Sequence, residues 1–570
     1  MTRHDETSRR ATKVSKAAPG VFAAAGLIAV VTLAARVFGF GRWLVFSQSV
    51  GATCVGSVYQ AANQLPNVVF EVAAGGALAA VAVPIIAGQL ARDAQDEAAQ
   101  TASAMLSWAL AVLAPLSILM AAAARPLSTW LVDSQRCSGS TDLMAAMLVV
   151  FAPQIALYGV GIVLAGVLQA HRRFLAAAAA PLLSSVVVMA TYLLYAAMAQ
   201  GRGNDLTRLP VQASTMLAAG TTLGVVALSL PLLIPVHRAG IRLHLTWTFP
   251  QGVARRARAL AGAGLLALVA QQVAVLVALW VSQHRGGPGT LNVYTYVQAV
   301  YLLPYAVLAV PIATAAFPAL ASGMNQSALA SGMNQSALAS GMNQSSAEGA
   351  QQTLSSSARA ITVATCAGAA VLFAAAPPIG AFFSALDAGR HSPAGQEALA
   401  ALPAALSAFA PGLVGFGLLA LFTRALYAKG RPGVAGGVAA LGWLIAAVVP
   451  LALLRGDAGP RNTLQSLGLA SSLGMTVAAV VLLFAVHRAW GPQMGQGLVR
   501  GAVVAVGSGA LAAAGGRAIA GNLHPLGLAT AATAAVMVTI AVLTFFAASI
   551  WIGDRESARL AAAPLRRRAR

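Results

Sequence analysis

Long apolar runs separated by short polar breaks dominate this chain from residue 20 to residue 552. Each run reaches about 20 residues or more, the length that an α-helix needs to cross a hydrocarbon core of about 30 Å. The pattern predicts about fourteen membrane-spanning helices, over residues 20–46, 52–90, 103–124, 141–168, 174–199, 213–236, 258–283, 290–320, 357–383, 397–427, 432–455, 464–488, 499–521 and 526–552. The second and eighth runs are long enough to be tilted, bent or broken.

Composition also indicates that most of the chain lies in lipid. The chain is 58% hydrophobic and 9% charged, with a mean hydropathy of +0.76, so a water-soluble globule would lack polar residues to cover its surface. Ala, Gly, Leu and Val dominate the runs, and small residues let membrane helices approach closely. No strand-like alternation of the outer-membrane barrel type is visible. We therefore predict an all-α polytopic membrane protein.

The net charge of +21 reflects topology and not nucleic-acid binding. With the N-terminus in the cytoplasm, most Lys and Arg residues fall on cytoplasmic segments, which is the positive-inside bias. The richest segments are residues 1–19, the loop carrying Arg238, Arg242 and Arg255, and the tail 553–570. Both ends are predicted to be cytoplasmic and attracted to anionic membrane lipids. Residues 1–19 are too charged for a signal-peptide core, so the first run is kept as a helix.

Several classes of function lack their motifs. No lysine is followed by Ser or Thr, so the phosphate-cradling loop of an ATPase is absent. The histidines show no metal spacing, and we expect no metal, no cofactor and no enzyme activity. Cys54 and Cys137 both map outside the cytoplasm, where a bridge between them is possible, but we expect free thiols there and at Cys366.

Residues 319–346 repeat the unit SGMNQSALA every nine residues. Nine residues make two and a half helical turns, so successive copies face opposite sides of a helix and cannot build one binding face. We interpret the segment as a low-complexity linker between the eighth and ninth helices.

Three charged side chains lie deep in apolar runs: Arg36, Arg42 and Glu71. Such a group costs at least about 2.5–3.5 kcal/mol at the centre of a membrane helix and normally faces a polar interior. Six helical residues separate the two arginines by about 240°, and Gly39 and Gly41 between them are candidates for a bend. The alternative is that Arg36 snorkels or pairs with Glu71 as a structural bridge. Glu71 is also a candidate proton- or cation-linked switch.

The second run carries polar residues around a proline, and the eighth run repeats the device. Gln60, Asn63 and Asn67 flank Pro66, and Glu71 and the pair Gly75-Gly76 follow. Proline frees backbone groups, which lipid tolerates only where they face protein or water. Gln298 precedes Pro304 at the spacing of Gln60 and Pro66. Parallel repeats predict two six-helix lobes around a central cavity: an N-lobe at 20–240, a C-lobe at 250–490, and two extra helices at 499–552.

At these residues the chain resembles the MurJ/MviN family of lipid II flippases, within the multidrug/oligosaccharidyl-lipid/polysaccharide exporter superfamily. The matching strings are ARVFGFGR (35–42), QLPN (64–67), the GG and AVP that follow, the RF at 173–174, and the LP of YLLPYAVLAV (301–310). The resemblance implies export of undecaprenyl-pyrophosphate-linked peptidoglycan precursor across a bacterial cytoplasmic membrane by alternating access. It also implies that Arg36 and Arg42 meet the diphosphate and that the last two helices form a groove for the lipid tail.

The chain departs from better-known members of that family at several cavity positions. Phe70 and Glu71 stand where basic residues follow the LPN string, Ala299 replaces an arginine, and Ser57 and Trp43 replace acidic residues. The alternatives are therefore a transporter of another polyprenyl-linked glycan or an amphipathic drug, and a non-transporting membrane scaffold that binds cell-wall synthesis proteins. A membrane enzyme would want paired carboxylates, and Glu71 has no acidic partner in its helix.

Overall fold

The computed structural model describes residues 19–251, 253–331, 337–387, 393–491, 497–525 and 527–555. The described residues form helices and connecting turns without a strand, so the predicted all-α membrane fold is confirmed. Residues 1–18, the tail beyond residue 555 and the centre of the nine-residue repeat lie outside the described residues.

Grouped by the predicted lobe bounds, the N-lobe begins with a 31-residue helix and continues through nine further α-helices. Small residues set its closest contacts: in the packing of α8 on α9, Gly220 faces Thr191 and Gly224 faces Val188. This is the small-residue spacing that membrane helices use to approach one another. The helices are α1 (Pro19–Ser49), α2 (Cys54–Phe70), α3 (Gly76–Leu90), α4 (Gln95–Ala122), α5 (Ala124–Leu131), α6 (Ser140–Phe151), α7 (Gln154–Ala170), α8 (Phe174–Ala199), α9 (Val211–Ser229) and α10 (Leu233–Arg238).

The C-lobe and the two extra helices follow the same rule. Gly442 and Gly474 meet backbone to backbone where two long C-lobe helices cross. The helices are α11 (Val253–Val281), α12 (Thr290–Pro304), α13 (Val310–Ser331), α14 (Ala337–Ala374), α15 (Ala376–Leu386), α16 (Pro393–Ala400), α17 (Leu402–Phe409), α18 (Gly412–Ala428), α19 (Pro432–Leu453), α20 (Gly459–Trp490), α21 (Leu498–Gly521) and α22 (Leu528–Gly553). The described parts of the nine-residue repeat lie in α13 and α14.

Among the described residues, 11 helices are long and apolar enough to cross a membrane, or up to 12 if one bent pair counts as a single span. That pair, Pro393–Phe409 and Gly412–Ala428, is bent by 49° within the predicted run 397–427. The chain is thus a multi-pass membrane protein, and the count of about fourteen spans stays a prediction.

The second and eighth apolar runs, which are long enough to be tilted, bent or broken, each contain a π-helical turn. A π-helical turn, Glu71–Gly75, separates α2 from α3, and another, Tyr305–Ala309, separates α12 from α13. Each turn follows the proline that the two runs share, Pro66 or Pro304. A π-helical turn widens the helix by one residue and commonly marks a functional site.

The expectation of free thiols at Cys54 and Cys137 is wrong, because the two residues form a disulfide across a sequence separation of 83 residues. Their Cα atoms lie 6.0 Å apart, since the loop between α5 and α6 folds back over the start of α2. Helix packing brings the two thiols together, and no sequence spacing signals it. Cys366 is free and buried.

Candidate functional site

Three helices that carry predicted site residues meet at a cluster of aromatic rings. Phe46 of α1 stacks on Tyr59 of α2 at 5.7 Å between ring centroids and lies edge-on to Tyr296 of α12 at 6.2 Å. Tyr296 in turn stacks on Phe383 of α15 at 5.0 Å. All four side chains are fully buried. The cluster joins the two lobes and fixes the relative heights of the three helices.

From this cluster the helical rise gives the depth of each predicted residue. Arg42 lies four residues from Phe46, or about 6 Å along the axis, and Asn63 lies four residues from Tyr59. Arg36 lies about 15 Å from the cluster, and Glu71 about 18 Å. Arg42 and Asn63 are therefore equally far from the cluster along their own helices, and Arg36 and Glu71 are nearly so. We call Arg42 and Asn63, which lie nearer the cluster, the upper tier, and Arg36 and Glu71, which lie further away, the lower tier.

The upper tier holds Arg42 in a setting with few acceptors. Its guanidinium lies 5.5 Å from the ring centroid of Trp43, and its side chain is half-buried. Its charge acts on the hydroxyls of Tyr59, Tyr158 and Tyr192. Its Nε is buried and has no hydrogen-bond partner. A buried N–H without an acceptor costs about 1–3 kcal/mol, and more when the group is charged.

The hydroxyl groups of Tyr59 and Tyr192, near Arg42, are engaged in hydrogen bonds with other protein groups. The Tyr59 hydroxyl hydrogen-bonds to the Tyr192 hydroxyl at 2.9 Å and to Thr221 Oγ1 at 3.0 Å. Thr221 Oγ1 also donates to the carbonyl of Leu217. These buried hydroxyl groups bond to one another and to the backbone, and Arg42 Nε is left without an acceptor.

The lower tier consists of Arg36 and Glu71, which are separate from each other. Arg36 is exposed and Glu71 is half-buried. The ion pairs among the described residues include neither of them, nor Arg42. The alternative that Arg36 and Glu71 form a structural bridge has no support in these contacts.

The polar residues of α2 follow one face of the helix. Gln60, Asn63, Asn67 and Glu71 are spaced by three or four residues, which places them in one stripe. Gln60 is buried with its Nε2 unpartnered, and the next three are half-buried. Exposure therefore grows along the stripe, away from the aromatic cluster. Pro66 is buried within α2, and Gly75-Gly76 mark the change from π-turn to α3.

On α12, Gln298 and Pro304 occupy the positions that the repeat predicts. Gln298 is half-buried and its Nε2 donates to the hydroxyl of Tyr294 at 3.1 Å, one turn earlier in the same helix. Pro304 ends α12 immediately before the π-helical turn. On α1, Gly39 and Gly41 lie within an unbroken helix, and a Cβ at either would meet nothing within 4 Å.

Beyond the aromatic cluster, the lobes are joined by hydrogen bonds at the end that holds the disulfide. Asn292 Nδ2 donates to the carbonyl of Gly51 at 2.8 Å, and the amide of Ala52 donates to Asp387 Oδ2 at 3.2 Å. The amide of Gly289 donates to Ser57 Oγ at 3.0 Å, and Gln283 Nε2 donates to the Ser57 carbonyl at 3.0 Å. Asn292 and Asp387 are fully buried. This end of the space between the lobes is closed.

Arg136 adds a charged contact at the same end. Its Nη2 donates to the carbonyl of His284 at 3.0 Å and lies 3.0 Å from Asp457 Oδ1, both in the C-lobe. Its Nε bonds to Asp133 in its own loop at 3.2 Å. The disulfide at Cys137 anchors this loop to α2 beside it. Sequence analysis missed Arg136, Asn292 and Asp387, and no motif marks them, because their partners are distant in the chain.

Comparison with known proteins gives one family over most of the chain. The family model "Lipid II flippase MurJ" matches residues 46–524. A probable lipid II flippase MurJ of Rhizobium tropici is 25% identical over 296 residues, covering 52% of this chain and 54% of that protein. A lipid II flippase MurJ of Burkholderia cenocepacia is 29% identical over 167 residues, covering 28% of this chain and 31% of that protein. The matches thus span about half, or less, of these relatives.

Solved structures share the fold. A lipid II flippase MurJ in an inward closed conformation superposes with a TM-score of 0.69 at 16% identity, covering 92% of this chain and 98% of that one. An inward-facing multidrug resistance transporter of the MATE family gives a TM-score of 0.60 at 14% identity, covering 81% of this chain and 97% of that one. At such identities the likeness concerns the fold alone.

Proposed function

Because the chain belongs to the lipid II flippase MurJ family, we propose that it moves lipid-linked peptidoglycan precursor from the inner to the outer leaflet of a bacterial cytoplasmic membrane. The cargo would be lipid II, an undecaprenyl-pyrophosphate-linked molecule, and the mechanism alternating access of the two lobes. The observation that carries this proposal is the buried Nε of the half-buried Arg42 side chain, which has no acceptor in the protein. A diphosphate supplies such an acceptor, and charge-assisted hydrogen bonds to phosphate are among the strongest that a guanidinium makes.

The two tiers suggest an order of contacts. Arg36 is exposed and lies about 9 Å further from the closed end than Arg42. An anionic headgroup that enters from the open side would meet Arg36 first and then pass to Arg42 below the aromatic cluster. Asn63 and Asn67 lie on the same face of α2 and would hydrogen-bond polar groups of the sugar and peptide, with the buried Gln60 behind them toward the aromatic cluster. Gln298 would do the same from α12.

The disulfide favours one orientation for this path. Disulfides persist in oxidising compartments outside the cytoplasm. The closed end, which holds Cys54 and Cys137, would then face outward, and the N-terminus, one helix away, would be cytoplasmic. This agrees with the positive-inside bias of the sequence. The described state would be the one that loads cargo from the cytoplasmic side.

The lipid tail would lie outside the lobes. Helix α22 packs against α15, and α15 contacts α1, which carries both arginines. The outward faces of α21 and α22 would therefore guide a long prenyl chain while the headgroup crosses between the lobes. Pro66, Pro304 and the two π-helical turns would serve as the flexible points of α2–α3 and α12–α13, since a π-turn already interrupts the regular hydrogen-bond ladder there.

The test is depletion of the protein in its own bacterium, followed by an assay of lipid II on each leaflet. We expect lipid II to accumulate on the inner leaflet, and expression of the unaltered chain to restore its export. Expression of the Arg42→Ala variant, inserted at the same level, should not restore it. If lipid II still reached the outer leaflet normally after depletion, the cargo would instead be another polyprenyl-linked glycan or an amphipathic drug.

A further inference from the structure

An apolar groove lies on the C-lobe, away from the arginine tiers. It encloses about 730 Å³ between α14, α18, α20 and α21. Its walls include Cys366 and Phe373 of α14, Leu418 of α18, Leu483 of α20 and Ala513 of α21. None of its lining residues belongs to α1, α2, α12 or α22. The groove is therefore separate from the arginine tiers, although Gly509 in its wall also lies next to Phe546 of α22.

The walls of the groove are apolar and suit a hydrocarbon chain. The polar side chain in the lining, Thr476, donates its hydroxyl to the carbonyl of Ser472 at 2.7 Å and needs no further partner. Helices α14, α20 and α21 all qualify as membrane spans, so the groove lies at the depth of acyl chains. Small residues on α21, including Gly509, Ala510 and Ala513, leave the space that a lipid chain would fill.

A cationic group stands at one end of the groove. Arg517 lies one helical turn beyond Ala513 on α21. Its Nη1 donates to the carbonyl of Phe373 at 3.0 Å and to Ser407 Oγ at 3.4 Å, and its guanidinium lies 5.4 Å from the ring centroid of Phe373. These bonds hold the guanidinium beside Phe373, which lines the groove, and use only one of its nitrogens. The remaining N–H groups can donate to a further acceptor, and the planar guanidinium matches the geometry of a phosphate.

The charged end faces the leaflet on the disulfide side. Phe373 stands at the end of α14, and α15 continues directly from there to Asp387, which bonds to Ala52 beside the disulfide. Arg517 lies one turn before the end of α21 at Gly521, and α21 is long enough to span the membrane, so Arg517 is near headgroup depth and the apolar groove extends from it toward the membrane centre. An arginine at the mouth of an apolar groove matches a lipid with an anionic phosphate headgroup.

We propose that this groove is a binding site for an anionic phospholipid of the surrounding membrane, with one acyl chain between α18, α20 and α21 and the phosphate on Arg517. The bound lipid fills the seam between the C-lobe and the appended helix α21. This proposal does not rest on the cargo proposed above.

The test uses the full chain, purified and titrated with phosphatidylglycerol, and counts bound lipid by native mass spectrometry. Arg517→Ala should weaken phosphatidylglycerol binding about tenfold or more, the loss expected for a charge-assisted hydrogen bond. Arg500→Ala, which removes an exposed arginine at the other end of the same helix, is the matched control and should bind as the unaltered chain does. Ala513→Trp, which fills the groove, should also reduce binding.

Two further arms separate the occupants. Phosphatidylcholine, which carries no net charge, should bind more weakly than phosphatidylglycerol, and glycerol phosphate without chains should not compete. Equal phosphatidylglycerol binding by Arg517→Ala and the unaltered chain would overturn the proposal. So would a groove that prefers an undecaprenyl diphosphate, or one that retains a transmembrane peptide in place of lipid.

Discussion

Replacing Arg42 with methionine separates a role in binding from a role in the fold. Methionine keeps most of the volume of the side chain but removes the charge and the N–H groups. The buried Nε without an acceptor costs the folded state about 1–3 kcal/mol, and its removal relieves that cost. The same substitution loses the cation–π contact with Trp43, worth about 0.5–2 kcal/mol. The two effects offset, so we expect the free energy of unfolding to change by no more than about 1 kcal/mol.

Cargo binding should respond in a different way. A hydrogen bond to a charged group contributes about 1.5–3 kcal/mol, and each 1.4 kcal/mol is about tenfold in affinity. Arg42→Met should therefore weaken binding of undecaprenyl diphosphate about ten- to hundredfold. The matched control is Arg125→Met, because Arg125 is exposed and pairs with the exposed Asp142 at 3.1 Å. An exposed pair of this kind is worth about 0–1 kcal/mol.

Two measurements on the same preparations decide the outcome. Thermal unfolding in detergent reports stability, and titration with undecaprenyl diphosphate, followed by flipping of labelled lipid II in proteoliposomes, reports binding and transport. We expect Arg42→Met to unfold within a few degrees of the unaltered chain and to fail in binding and transport, while Arg125→Met passes all three assays. A variant that unfolds much earlier yet still binds and transports would show that Arg42 is a structural residue.

The remaining predictions concern the closed end and the lower tier. Arg136→Ala should favour opening at the disulfide end, which spin-label measurements would record as a longer distance between the lobes. The effect should exceed that of Asp457→Asn, because Arg136 also bonds the His284 carbonyl. Equal effects of the two substitutions would refute this ranking. Gly56→Ala should block closure of the disulfide end, since the added Cβ would clash with Gly51 O and Asn292 Nδ2. In Gly39→Ala the added Cβ meets nothing within 4 Å, so this variant should close normally. Closure of both variants would contradict the steric argument. Glu71→Gln should flatten the pH dependence of transport if Glu71 is the proton-linked switch, and an unchanged pH profile would remove that role.

Sequence alone determined the membrane fold. Lipid offers no hydrogen bonds, so each span must be a continuous apolar run that satisfies its own backbone, and that requirement is local in sequence. Pro66 and Pro304 free backbone groups in the second and eighth runs, and π-helical turns occur after both, whereas no proline repeat signals the 49° bend between Phe409 and Gly412. The cost of charge in lipid also selected Arg36, Arg42 and Glu71 without knowledge of their neighbours.

Only the tertiary structure decided how these parts meet. The amide of Ala52 bonds to Asp387 across 335 residues, and Cys54 pairs with Cys137, because helix ends converge when two lobes close. Such contacts depend on crossing angles and on the depth of each helix, which hydropathy does not encode. The same holds for Arg42: sequence shows that its charge is costly, and packing shows that the protein leaves its Nε without an acceptor. The cost of placing each residue in lipid depends on the local sequence, whereas the pairing of distant groups arises only when the helices pack.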